Sequence, residues 1–227
     1  MSEVYGMQEL QVNALFDLSN TIAAPLLVGV TYPWEALPQL ADFIRQTGAT
    51  LPSERYEKRG EDVWVAKSAT VAENASITGP CIICEEAEVR HCAFIRGSVI
   101  VGAGAVVGNS TELKNCILFD EVEVPHFNYV GDSILGYKAH MGGGAMTSNI
   151  KSDKTPVSVV CNGERIQTGY RKLGAILGDL VEVGAGSVLN PGTVIAPRTN
   201  VYPLSMVCGF VPADSIYKTG GVIVKKQ

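Results

Sequence analysis

From Val65 onward an aliphatic residue recurs at every sixth position: Val65, Val71, Ile77, Ile83, Val89, Ile95, Val101, Val107 and Leu113. One residue then drops out, and the beat resumes at Leu118, Val124 and Val130. A second drops out before Leu135 and Met141, with Thr147 in the same phase. After an interruption the beat returns at Leu177, Val183, Leu189, Ile195 and Val201. A helix repeats at about 3.6 residues and a half-buried strand at about 2, so neither accounts for it. A period of six fits a solenoid of short strands and tight turns, in which each aliphatic side chain points into a prism. Small residues, as in "VGAGAVVGNS" and "VGAGSVLNPGTVIAP", permit the corners. Three hexads make one triangular coil of about 18 residues, and coils stack about 4.8 Å apart like neighbouring strands. The predicted class is an all-β solenoid.

Coils of this kind resemble the left-handed parallel β-helix of hexapeptide repeats, an exception to the right-handed rule for parallel crossovers. Two regions break the beat. Residues 1–60 contain "PWEALPQLADFIRQTG", where Pro33 can open a helix, Gly48 can end it, and Leu37, Leu40, Phe43 and Ile44 form one buried face. This predicts a helical N-terminal cap over the first coil. Within the β-helix at 61–205, residues 148–176 lack the hexad and read as an inserted excursion, with a hairpin around "CNG". Residues 206–227 read as a tail that leaves the solenoid.

Composition narrows the function classes. The 227 residues are 46% hydrophobic and 18% charged, as in ordinary globular proteins. A net charge of -5 argues against non-specific affinity for nucleic acid or anionic membranes, though not against a small basic pocket for a phosphate. The start, "MSEVYGMQEL", has no signal-peptide pattern, and the longest apolar stretch falls short of the roughly 20 residues that span a bilayer. A cytoplasmic protein without membrane or nucleic-acid partners is expected. "CIIC" has the spacing of half a zinc site, but no second pair follows. The six cysteines read as small buried residues in a reduced compartment, with no metal.

The repeat also acts as a ruler. Ile77, Ile95, Leu113, Val130 and Thr147 form one inward column, and Arg96 and Lys114 each directly follow a member of it, one coil apart. They are expected to project outward as neighbours, about 5 Å apart at the backbone, and to repel unless an anion sits between them. Tyr129 can bring its hydroxyl to the same patch. His126 lies at the corner leading into that face, and Asn149 lies one coil beyond. The ruler gathers all five on one edge, placing a phosphate-sized positive site beside a candidate base and an amide donor.

At this point "AFIRGS", "TELKN", "PHFNYVGDS" and the segment ending at Asn149 resemble the acetyltransferase half of bifunctional N-acetylglucosamine-1-phosphate uridylyltransferase/glucosamine-1-phosphate acetyltransferases. The stretch "SNIKSDKTPVSVVCNGERIQTGYRKLGAILGD" is similar to the related bifunctional sugar-1-phosphate nucleotidylyltransferase–acetyltransferases. The resemblance covers residues 60–205. It implies that His126 is the general base, that Arg96, Lys114 and Tyr129 hold the sugar phosphate, and that Asn149 orients the acetyl group or the amine. Lys154 is a further phosphate candidate. His140, where the first family has asparagine, is a substrate-binding candidate. The nucleotidylyltransferase domain of those families is not found before residue 60, so a separate nucleotidylyltransferase is an expected partner.

The implied activity moves acetyl from acetyl-CoA, as co-substrate, to the amine of a hexosamine 1-phosphate, glucosamine or galactosamine, in nucleotide-sugar biosynthesis. An amine attacks a thioester only when neutral, and a histidine suits the removal of its proton. The oxyanion needs a donor, either a backbone N–H or Asn149. Gly142, Gly143 and Gly144 in "MGGGAM", with Ala185, would let a pantetheine arm approach the backbone. A homotrimer with its sites between subunits is implied. Two other readings stand beside this one. A γ-type carbonic anhydrase would need zinc on His91, His126 and His140, but the ruler puts His91 two coils from His126. The other is a non-catalytic, trimerising or regulatory remnant of a bifunctional nucleotidylyltransferase.

Overall fold

The hexad builds the expected left-handed parallel β-helix. The computed structural model describes residues 6–227, so residues 1–5 of the expected cap lie outside the described residues. Val65 stacks on Ile83, Ile95 on Leu113 and Leu177 on Ile195, a step of 18 residues. Where the beat loses a residue the step is 17, as from Leu113 to Val130 and from Val101 to Leu118. Ile83, Ile95, Val101, Leu113, Val130, Leu135, Leu177 and Ile195 fill the prism without solvent contact.

From Glu86 onward the corners carry left-handed residues, in runs with a spacing of six: Glu86, Cys92, Ser98, Gly104 and Ser110, then Glu121 and Phe127, then Lys138 and Gly144. A side chain makes this conformation costlier than it is for glycine. The expectation that small residues make the corners is therefore corrected by Phe127, Leu180 and Leu204, all at positive φ. The stacked coils on either side determine these corners. Glycine matters instead for close approach: a Cβ at Gly108 would stand 1.5 Å from the Pro125 carbonyl oxygen. The lost residues fall at a corner too. Strands Glu112–Leu118 and Tyr129–Leu135 run unbroken across it, with Asn115 and Asp132 as its left-handed residues.

One of the three faces is apolar on both sides. In Cys81–Ile83, Val99–Val101, Ala175–Leu177 and Thr193–Ile195 every residue is buried, including the outward Ile82, Ile100 and Ile176. The N-terminal helices cover this face. Helix Leu40–Ala49 packs on Cys81–Ile83, Val99–Val101 and Glu112–Leu118, and the 3-10 helix Pro33–Gln39 packs on Tyr129–Leu135. The Phe16 and Phe119 rings meet at 4.9 Å, and the Asp17 amide donates to Asp179 Oδ2 at 2.7 Å. The segment is thus a buttress along a face, not a lid over the first coil. The mouth of that coil stays open, with Val65, Val71, Ala75 and Ile77 lining a cavity of about 520 Å³.

Other expectations are also corrected. The single helix from Pro33 to Gly48 is a 3-10 helix that passes into an α-helix after Pro38, a residue without an N–H to donate. Gly48 does not end it. A Cβ there would lie 2.3 Å from the Trp64 ring, so glycine admits the indole. The hairpin Ser158–Cys161/Glu164–Gln167 packs on Thr193–Ile195 and Phe210–Val211, extending the cover of the same face. Residues 206–227 do not leave the solenoid at 205: Met206–Val207, Phe210–Val211 and Ser215–Lys218 continue its parallel pairing, and Val222–Lys225 folds back antiparallel. Cys92 and Cys208 are exposed, whereas Cys81, Cys84, Cys116 and Cys161 are buried.

Candidate functional site

A second face carries Phe94, Glu112, Tyr129 and Met146 outward, one above another in register. Arg96 and Lys114 stand beside this column, and each already has an anion. Arg96 Nη1 donates to Glu112 Oε1 at 2.6 Å, and Lys114 Nζ donates to Asp132 Oδ1 and Oδ2 at 3.0 and 3.2 Å. Repulsion between stacked cations therefore does not by itself require an external anion, which corrects the argument from the ruler.

Asp132 is the hub of the arrangement. Only 4% exposed, its carboxylate also accepts from Asn115 Nδ2 at 2.9 Å and from Asn149 Nδ2. Asn149 Nδ2 reaches the Tyr129 hydroxyl as well, at 3.1 Å. Gly131 makes room for this: a Cβ there would lie 2.4 Å from that hydroxyl, so the phenol folds across the strand where a side chain would otherwise stand. Burial first, and then the charges of Asp132 and Glu112, push the Tyr129 hydroxyl pKa up, so it keeps its proton. The excursion leaves and rejoins the coil here: Leu173 N donates to Asn149 O at 3.0 Å and Gly174 N to Asp132 O at 2.8 Å.

His126 occupies the opposite corner of the same face, at the end of strand Glu123–His126. Its exposed imidazole makes no hydrogen bond with the described residues, while its backbone is pinned on both sides. The amide donates to Asn128 Oδ1 at 3.0 Å, and the carbonyl accepts from Gly144 N at 2.9 Å. Asn128, 2% exposed, also donates to Gly142 O at 2.9 Å and Ala145 O at 3.0 Å, clamping the glycine segment beneath the histidine. A Cβ on Gly142 would stand 2.6 Å from Ala185 N, and Gly186 N donates to Gly143 O at 2.9 Å. His126, Gly142, Gly143, Gly144 and Ala185 thus share one corner column.

The structure brings Lys114, Tyr129 and Asn149 into direct contact through Asp132 and stacks Arg96 beside Lys114. It places His126 at the other corner, at the end of strand Glu123–His126, so the set spans a face between two corners and not one edge. His140 stands on the third face, where its Nδ1 lies 2.9 Å from Glu182 Oε2, away from the cluster. Lys154 is an exposed loop residue, while the ion pairs of Arg96 and Lys114 are made with Glu112 and Asp132. Lys151, not Lys154, lines a cavity of about 490 Å³ with Ser148, Asp153 and Arg165, next to Asn149. Sequence reasoning missed Glu112, Asn115, Asn128 and Asp132. The ruler contained a signal for Glu112, which precedes inward Leu113 and so must face outward. Among the described residues no group of His, Cys, Asp and Glu side chains is set to hold a metal ion.

The family model of the GMPPB C-terminal domain matches residues 77–204. Bifunctional protein GlmU of Methanococcus vannielii is 32% identical over 179 residues, covering 70% of this chain and 43% of its own length. The uncharacterized acetyltransferase YaiX of Escherichia coli is 32% identical over 159 residues, covering 70% of this chain and 69% of its own. The acetyltransferase domain of PglB from Neisseria gonorrhoeae, solved in complex with acetyl coenzyme A, covers 69% of this chain and 54% of its own, at 16% identity and a TM-score of 0.32. The chain spans less than half the length of the GlmU protein it matches.

Proposed function

The chain belongs to the family of the GMPPB C-terminal domain, and from that premise we propose that it is an acetyl-CoA-dependent N-acetyltransferase acting on a hexosamine 1-phosphate. In this reaction the neutral amine attacks the thioester carbonyl and His126 takes the proton that the nitrogen sheds. The tetrahedral intermediate collapses with expulsion of the CoA thiolate, which is protonated to the free thiol. Glycines 142–144 and Ala185 form a floor beside His126 on which the pantetheine arm lies. The observation that carries the reading is one solenoid face with an unengaged imidazole at one corner and the Tyr129–Asn149–Asp132–Lys114 hydrogen-bonded chain at the other. The relatives' acetyltransferase names support the reaction class. The test is an acceptor panel with acetyl-CoA and detection of released thiol. Glucosamine 1-phosphate or galactosamine 1-phosphate is expected to outrun the free sugars, and thiol release with no amine would sink the proposal.

The phosphate falls to Arg96, Lys114 and Tyr129. Arg96 pairs with Glu112 while both side chains are partly exposed, a contact worth little, and its guanidinium rests over the Phe94 ring at 5.9 Å, so a phosphate can displace Glu112. Arg96→Ala or Lys114→Ala is expected to weaken the sugar phosphate by about 1.5–3 kcal/mol, the scale of one charge-assisted hydrogen bond. The KM for acetyl-CoA should hardly move. An equal loss with a non-phosphorylated amino sugar would remove the pair from the phosphate.

A flat face gives a pantetheine chain only one wall. Beside its charged cluster this face and its corner also expose large apolar side chains, with Phe94 42%, Phe127 66%, Met146 41% and Met206 71% exposed, as suits a surface covered by another subunit. The expected assembly is a homotrimer with the sites between subunits. Light scattering at micromolar concentration should return a trimer mass, and a monomer mass would contradict it.

A further inference from the structure

We propose that Asp132 is a positioning residue that locks the Asn149 amide with its carbonyl oxygen turned outward from the face, so that position 149 offers the acceptor substrate a hydrogen-bond acceptor and not a donor. The substrate assignment rests on the transferase reading above; the geometry does not. An ionised carboxylate only accepts, so the amide edge that touches Asp132 must be Nδ2. That nitrogen has two hydrogens, and both have takers: Asp132 Oδ2 and the Tyr129 hydroxyl oxygen at 3.1 Å. Oδ1 therefore points the other way. It is not enclosed, because among the described residues the one buried side-chain polar atom without a partner is Ser205 Oγ.

The same logic runs along the chain of contacts. Tyr129, having accepted from Asn149, turns its own hydrogen outward, and its raised pKa keeps that hydrogen in place. Asp132 cannot swing away, because Lys114 and Asn115 hold it and its backbone sits at a left-handed corner, with φ +50°. The face thus presents one acceptor, Asn149 Oδ1, beside one donor, the Tyr129 O–H. A neutral amine gives an N–H to Asn149 and keeps its lone pair for the thioester carbonyl. An anionic oxygen of the same substrate takes the tyrosine hydrogen. The oxyanion must then find its donor elsewhere, on a backbone N–H, and the alternative that Asn149 donates to it falls away.

The test compares Asp132→Asn with the double variant Asp132→Asn/Asn149→Asp. The single variant lets the amide turn over, and kcat is expected to fall about ten-fold or more. The double variant reverses the hydrogen bond but keeps an acceptor turned outward, so kcat should return to within a few-fold of wild type. The acceptor KM should stay raised, because the Tyr129 hydroxyl now donates to the new carboxylate. A double variant as slow as the single one, with its melting temperature restored, would overturn the proposal and leave Asp132 a structural residue. A second readout does not depend on turnover. In the full wild-type chain the Asn149 side-chain amide hydrogens should exchange slowly by NMR, and in Asp132→Asn they should lose that protection. Free exchange in the wild type would overturn the orientation. A wild type that transfers no acetyl but protects these hydrogens would refute the transferase reading alone.

Discussion

His126→Asn is expected to lower kcat for acetyl transfer by about 10²–10⁴-fold, with assembly and the binding of both substrates nearly intact. The expected split follows from how the residue is held. Its position depends on its backbone, through Asn128 Oδ1 and Gly144 N, and not on its ring. Replacing the imidazole therefore removes a proton acceptor without loosening the corner. An exposed histidine with no hydrogen bond to the described residues does nothing for stability that asparagine cannot do, so a lost rate with a kept fold isolates the chemistry. Steady-state kinetics at saturating acetyl-CoA and hexosamine 1-phosphate, beside light scattering of the same preparation, provide the check. A folded variant with near-wild-type kcat would make His126 a corner residue and nothing more.

Ile100→Ala is expected to destabilise the protein by about 2–5 kcal/mol, although Ile100 points out of the prism. In a bare solenoid an outward residue faces water and its truncation costs little. Here the outward column of this face lies under the N-terminal helices, and Ile100 has no solvent contact. Removing its methyl groups leaves a cavity between helix Leu40–Ala49 and strand Val99–Val101. Glu123→Ala, outward and exposed on the third face, should change stability by about 0.5 kcal/mol or less. Denaturant unfolding of the two variants checks the difference. Equal, small effects would mean that the helices do not buttress that face.

The inward side of the prism was legible because one rule, an aliphatic residue every six, governs most of it, with two lost residues, Thr147 and the 148–176 excursion as its departures. The covered face was equally written in the chain. Triads such as "VIV" and "AIL" are apolar outside as well as in, which a solenoid alone does not need. The six-residue rule does not register that excess, and the expectation of a cap over the end of the first coil follows from the rule alone. At the site the ruler placed Arg96, Lys114 and Tyr129 as neighbours because they flank an unbroken inward column. It could not place Asp132, which sits where the coil drops a residue. There the phase is ambiguous by one position, and one position is the difference between pointing outward and reaching back to Lys114. Asn128 was missed for another reason: its bonds to Gly142 and Ala145 connect a corner to the next coil, and no repeat in the sequence encodes them.

The most direct test of the account is the identity of the product formed from acetyl-CoA and glucosamine 1-phosphate or galactosamine 1-phosphate by the wild-type chain. NMR of the purified product should show one acetyl group on the sugar nitrogen, the phosphate still attached, and one free CoA thiol per product. An acetyl on a sugar hydroxyl, or unchanged sugar phosphate after prolonged incubation with trimeric protein, would contradict it.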